Sequence, residues 1–146
     1  DQIPATIAHG DFRADNLMFD DSTDGDGHVG VLDWQIAMRG PGVGDLGYLL
    51  VQSMTAEDRR AHQEDLVRQW YDEIGAALGR APQGYAFEQA WDDYRASAAT
   101  MTALPVIGGA QSDLANERGM ALVKEMASRA FSAALELDAA SLLPDA

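Results

Sequence analysis

The stretch His9-Gly10-Asp11-Phe12-Arg13-Ala14-Asp15-Asn16 decides how the rest of the chain is read. It is polar and carries no helical or strand-like hydrophobic period. An apolar run, Leu17-Met18-Phe19, follows at once, and a second run, Val29-Gly30-Val31-Leu32, ends at Asp33. Residues 21–28 between them are Asp, Ser, Thr, Gly and His, most of which tolerate left-handed backbone and favour turns. The pattern predicts a small hairpin with strands at 17–20 and 29–34. That hairpin brings Asn16 close to Asp33, although 17 positions separate them in the chain. A carboxylate at Asp11, a carboxamide five positions later and a second carboxylate at Asp33 then share one end of a β element.

Outward from this centre, residues 3–8 read as an extended run into the loop, and Pro4 argues against a helix there. On the other side, Arg39-Gly40-Pro41-Gly42-Val43-Gly44 reads as a loop of breakers. Asp45 then opens a buried helix over 46–51. Thr55 is an N-cap with Asp58 as its capping-box partner, and a long amphipathic helix runs over 56–78. Leu66, Trp70, Ile74 and Leu78 repeat at four on one face, and Gly79 suits the position just past its end. A further helix is expected over 87–104, broken by Pro105 and by Gly108-Gly109. Ser112 would cap a last helix over 113–137, with Leu122, Met126, Phe131 and Leu135 facing inward. The tail from Asp138 is expected to fray. The fold class is therefore mainly α with a small β-hairpin, an α+β domain of one hairpin followed by four helices.

With 146 residues the chain suffices for one domain with a core, and a hydrophobic share of 47% suits a globular protein. Its 24 acidic and 10 basic residues give a net charge of −14, which repels nucleic acid and anionic membrane surfaces. Neither class of partner is expected. The same charge also suits acidic helix faces that keep a protein in solution. No cysteine is present, so disulfides and thiolate metal sites are excluded. No run of about 18 apolar residues predicts a transmembrane helix, and the composition suits a cytoplasmic protein.

The wording of the central motifs resembles a known group. His9-Gly10-Asp11 with Asn16 five positions after the aspartate, then Asp33-Trp34-Gln35, is similar to a kinase catalytic loop followed by its metal-binding aspartate. It resembles the aminoglycoside phosphotransferase and choline-kinase-like family, and its Asp-Trp-Gln form most resembles the ecdysteroid-kinase-like relatives. The resemblance implies the C-terminal lobe of a kinase-like fold. It implies Asp11 as catalytic base, Asn16 and Asp33 as ligands of Mg²⁺, and ATP or another nucleoside triphosphate as phosphoryl donor. It implies His9 and Asp45 as supports of the catalytic loop. The acceptor would be a hydroxyl of a small molecule, the group's acceptors including aminoglycosides, amino alcohols and hydroxylated lipophilic compounds. The substrate-binding residues are not singled out.

By the same resemblance, residues 1–55 hold the catalytic loop, metal hairpin and first buried helix, and residues 56–146 form a helical subdomain. A glycine-rich strand-turn-strand and a Val-Ala-Ile-Lys-like lysine do not occur in the sequence. An N-terminal nucleotide lobe is therefore expected before Asp1, with the chain alone inactive and exposing apolar surface that favours self-association. The competing reading is a non-catalytic helical interaction module that retains the motifs.

Other chemistries fit less well. Asp20, Ser22 and Asp24 mimic a calcium loop, but its twelfth place is Val31, where a bidentate glutamate is needed. His9, His28 and His62 lack metal-ligand spacing, and no nucleophile elbow occurs. Arg13 reads as a surface ion pair and Asp15 has no assigned role. Gln35 stands where protein kinases carry glycine, so a flipping activation segment is not expected.

Overall fold

In the computed structural model, which describes residues 5–20, 27–79, 82–111 and 116–142, two small sheets lead into a stack of helices. Strand β1, Ala5–Ala8, enters the central loop. Strands β2, Leu17–Phe19, and β3, Val29–Val31, pair antiparallel with Leu17 opposite Val31. This is the expected hairpin, shorter at its far ends. The middle of its turn, 21–26, lies outside the described residues, as do residues 1–4.

A second pairing was not expected. Strand β4, Met38–Pro41, runs antiparallel to β1 with Thr6 opposite Gly40 and Ala8 opposite Met38. Part of the predicted breaker loop is thus a strand. At Gly40 an added Cβ would meet the Ala8 Cβ at 3.4 Å, an ordinary contact, so the strand rests on its pairing with β1 and not on the glycine. Pro41 ends the strand, where a missing N–H is tolerated.

Helix α1, Gly42–Ser53, begins three residues earlier than the sequence suggested, so Asp45 lies in its first turn and not at its start. Helix α2, Ala56–Leu78, matches expectation at both ends. The Thr55 hydroxyl accepts from the Asp58 N–H at 3.1 Å, and Gly79 takes the left-handed conformation at φ 64°. Helix α3, Phe87–Met101, ends at Thr102 and not at Pro105. Helix α4, Ala103–Gln111, carries Pro105 in its first turn, where no intrahelical N–H is needed, and runs through Gly108 and Gly109. Helix α5, Glu117–Glu136, starts from Asn116, whose side chain accepts from the Gly119 N–H at 3.0 Å. The predicted cap Ser112 and start Asp113 lie outside the described residues. Five α-helices thus stand among the described residues where four were expected.

The core joins Val43, Tyr48, Leu50 and Val51 of α1 to Val67 of α2, to Tyr94, Ala98 and Met101 of α3, and to Ala130 and Ala133 of α5. Three of the inward positions predicted on α5 are corrected. Leu122 and Phe131 are about half exposed and Leu135 is 81% exposed, whereas Ala130 and Ala133 are sealed. Alanine is selected there because α5 lies close to α3, and a leucine would hold the two apart. Nor does the tail fray from Asp138. Residues Ala139–Leu142 form a 3₁₀ turn with Ala139 buried, and Arg95 of α3 caps the end of α5 by donating from Nε to the Leu137 carbonyl at 2.8 Å.

Two contacts set the helix spacing. At Gly47 an added Cβ would lie 1.9 Å from the Ser97 Oγ and 2.9 Å from its Cβ, so α1 and α3 meet nearly backbone to backbone. On the opposite side, buried Arg59 of α2 donates to Gln63 and, with exposed Arg60, to Glu136 of α5. The Arg60 hydrogen bond, with help from Ser132 and Arg59, lowers the Glu136 carboxyl to about 2 from 4.5.

Gly47→Ala is expected to cost about 1–3 kcal/mol through overpacking, outweighing its gain of about 1 kcal/mol in helix propensity. The double variant with Ser97→Gly should recover most of the loss in urea unfolding. A Gly47→Ala chain as stable as the parent would mean that the two helices are not in this contact. Glu136→Gln should cost about 1–2 kcal/mol at neutral pH, less than a sealed pair would, because Glu136 is open to water. Its folded-state pKa is depressed, so the carboxylate stabilises the fold above about 4.5 and that contribution fades as pH falls toward about 2. Melting temperature measured against pH should therefore fall more steeply across this window in the parent than in Glu136→Gln. Parallel curves would contradict the assignment.

Candidate active site

The loop between β1 and β2 is built from its backbone outward. Gly10 adopts φ +85°, and a Cβ there would press on the Ile36 carbonyl at 3.1 Å, so both conformation and space call for glycine. That turn aims two successive backbone N–H groups at one carboxylate. The His9 N–H donates to Asp45 Oδ2 at 2.6 Å and the Gly10 N–H to Oδ1 at 2.9 Å. Asp45 projects from the first turn of α1, where the helix N-terminus also favours negative charge.

His9 is buried at 1% exposure, and both its ring nitrogens are engaged. Nδ1 accepts from the Asp11 N–H at 3.2 Å, which makes Nε2 the protonated nitrogen, donating to the Leu32 carbonyl at 2.7 Å. One imidazole thereby joins the loop to the residue before Asp33. Phe12 and Trp34 meet its ring edge-on, with centroids 5.8 and 4.8 Å away.

Asn16 closes the loop in a short 3₁₀ turn, Ala14–Asn16. Its amide nitrogen donates to the Asp11 carbonyl at 2.8 Å and to Asp11 Oδ2 at 3.0 Å. Both N–H groups are thus engaged on Asp11, and no described residue donates to the carboxamide oxygen. The Leu32 N–H donates to the Asn16 carbonyl at 2.9 Å, which brings Asp33 to the neighbourhood of Asn16. Asp33 has φ 61° and ψ 60°, a conformation rare outside glycine, and its carboxylate has no partner among the described residues. The structure so gathers Asp11, Asn16, His9, Asp45 and the Asp33 backbone around one loop.

Arg13 is not the plain surface pair that was expected. Its Nη1 donates to Asp15 at 3.0 Å, but its buried Nε lies 3.3 Å from Asp11 Oδ1 without hydrogen-bond geometry. Two further residues of α1 that no motif marks in the sequence support the loop. Tyr48 is buried beside the Asp11 carboxylate, and burial first and that carboxylate second raise its pKa above the ordinary tyrosine value. Ser53 accepts the Ala14 N–H at 2.9 Å and anchors the 3₁₀ turn. The signal for Tyr48 was its place three residues after Asp45, on the same helix face.

No three or more His, Cys, Asp or Glu side chains converge on a metal position among the described residues. The available donors are the Asn16 carboxamide oxygen and the Asp33 carboxylate. Such a pair fits a hard cation that keeps waters and takes further oxygens from phosphate, as Mg²⁺ does.

A family model described as "uncharacterized oxidoreductase dhs-27", the family DUF1679, matches residues 3–137. The chain belongs to this family. It is one of the ecdysteroid/kinase-like group, so the chain is a member of a kinase-like family. No curated protein and no solved structure matches the chain significantly. The match spans the loop, both ribbons and all five helices.

Asp45→Ala would strand two backbone donors at the centre of this family's loop. The expected loss is roughly 2–4 kcal/mol, with faster hydrogen exchange at the His9 and Gly10 amides. Unchanged melting and unchanged exchange at those amides would show that the loop does not depend on Asp45.

Proposed function

We propose that this chain is the catalytic-loop part of an ATP- and Mg²⁺-dependent phosphotransferase that transfers the γ-phosphoryl group to a hydroxyl of a small molecule. The observation that carries the reading is the state of Asn16. Its N–H groups are both engaged on Asp11, so one residue orients the base and offers its oxygen to a cation beside Asp33. In this reading Asp11 accepts the proton of the attacking hydroxyl. Arg13 and Tyr48, beside its carboxylate, position it. Asn16 and Asp33 would hold Mg²⁺, which when bound neutralises charge on the transferring phosphate. Phosphoryl transfer needs placement and charge compensation more than covalent chemistry, and this loop is built for placement.

The aminoglycoside phosphotransferase, choline-kinase and ecdysteroid-kinase-like wording of the motifs is part of the same proposal, as is a cytoplasmic setting. Among the described residues no helix is long and apolar enough to cross a membrane. The word oxidoreductase in the family description fits the loop less well. A carboxylate base, a carboxamide and a second carboxylate offer a proton acceptor and oxygen ligands, not a route for electrons or hydride. Met18, Phe19, Trp34, Ile36 and Met38, each about half exposed or more, favour a second lobe packing over the two ribbons. That lobe would supply the grip on nucleotide phosphates, and without it the chain is expected to be inactive and to self-associate. The competing reading, a helical interaction module, draws on the same apolar face.

In the protein carrying both lobes, calorimetry should find ATP binding that requires Mg²⁺ and weakens at least tenfold in Asp33→Asn. Asp11→Asn should bind nucleotide normally and lose about 10²–10⁴ of phosphoryl transfer in an ADP-release screen of hydroxylated acceptors. Nucleotide binding indifferent to Mg²⁺ and to Asp33→Asn, or no binding at all, would leave the interaction module as the better reading.

A further inference from the structure

The apolar stripe of α2 is covered unevenly. Val67 is sealed in the core, whereas Trp70 and Ile74 are only partly buried and Leu78 is 57% exposed. Over this second half of the helix the stripe lines a cavity of about 300 Å³, whose other walls include Thr6 of β1, Gly42 at the start of α1, and Tyr85 between α2 and α3. Gly42 lets the chain come close at this point. A Cβ there would lie 3.0 Å from Thr6 Cγ2 and 3.3 Å from Trp70 Cζ2.

The walls are aromatic and uncharged. Tyr71, which also lines the cavity, donates its hydroxyl to the Tyr85 carbonyl at 2.7 Å, and the Tyr85 hydroxyl donates to Asp93 at 2.9 Å. Both hydroxyls are thus engaged within the protein, and no charged side chain lines the cavity among the described residues. A ligand gains here from carbon surface and not from charge. An apolar cavity of about 150 Å³ holds benzene, so roughly twice that volume suits two fused rings.

An adjoining cavity shares Thr6, Gly42, Trp70 and Ile74 with this one and continues to His9 and Asp45. Thr6 stands three positions before His9, and Gly42 three before Asp45, so the cavity is walled by the two segments that carry the anchor of the loop. Asp11, Asn16 and Asp33 line neither cavity.

We infer that the cavity beside Trp70 is an effector site for a neutral molecule of two fused aromatic rings, and that its occupancy braces the grip of Asp45 on the loop. The bound rings bridge β1, the start of α1 and α2, which otherwise leave a gap between them. Local opening of β1 away from α1 would break that bridge, so the ligand favours the closed form. The molecule is not the phosphoryl acceptor, and neither its binding nor the bracing depends on the phosphotransferase reading.

Indole is the probe, titrated into the isotope-labelled chain with neither nucleotide nor metal present. It should shift the Ile74 and Leu78 methyl resonances and the Trp70 side-chain N–H saturably. Hydrogen exchange at the His9 and Gly10 amides should slow at least threefold more than across α5. Ile74→Trp puts a two-ring side chain into the cavity itself, so it should bind indole at least fivefold more weakly. Leu78→Glu, at an exposed position of the wall, should fold and weaken indole likewise by setting a charge beside the apolar ligand. The inference is overturned if indole leaves Ile74 and Leu78 unshifted, or if it shifts exposed Ile7 and Met38 equally and without saturation. It is also overturned if Leu78→Glu keeps the parent's affinity, or if exchange slows no more at His9 and Gly10 than across α5.

Discussion

The Asp45 carboxylate, gripping two successive backbone N–H groups, is the constraint from which the site follows. Isolated, the His9–Asn16 loop has no ladder of its own to hold it, and its polar backbone would prefer water. Charge-assisted bonds at 2.6 and 2.9 Å tie it to the first turn of α1, the helix most deeply embedded in the core. Ser53 repeats the device at the other end of the same helix by accepting the Ala14 N–H. The loop is therefore slung along α1, fixed at both ends, and inherits the rigidity of a packed helix.

From that anchor the order of dependence runs outward. His9 relays it to Leu32, whose N–H in turn reaches Asn16, so strand β3 and the loop share a closed ring of hydrogen bonds. Among the described residues, nothing donates to the Asn16 carboxamide oxygen or to the carboxylate of Asp33, which follows the ring. Asp33 also sits in left-handed backbone. Left-handed backbone at a residue other than glycine costs stability, and a fold tolerates it where the surroundings are over-determined. Here the surroundings are the ring.

Much of this was legible in the sequence. The hairpin, the Thr55 cap, the Gly79 terminus of α2 and the mainly helical class all rest on local signals of residue type and period. What was not legible depended on distant contacts. Strand β4 reads as breakers because glycine and proline are judged locally, whereas the strand forms by pairing with β1, some thirty residues earlier. Helix α5 reads as leucine-faced because large apolar residues are assumed to point inward. Its true inner face is alanine, since helix spacing and not side-chain volume is what the core limits there. Pro105 reads as a stop, whereas it occupies the first turn of α4. Within the site, the spacing of Asp11, Asn16 and Asp33 carried the reading, but Tyr48 had no motif to mark it and emerges only from burial.

The small residues that misled the reading of α5 are also what shape a cavity of about 240 Å³ between that helix and the loop. Gly47 and Ala98 let α1 and α3 close on each other, and Ala130 and Ala133 bring α5 into the same core. That approach carries Arg129 to the Gln52 carbonyl and leaves Leu122, one end further along α5, facing the loop instead of the core. Larger core residues would push α5 outward and break the Arg129 bond. Close packing at one end of the helix and an open cavity at the other are thus two consequences of one choice of residue size.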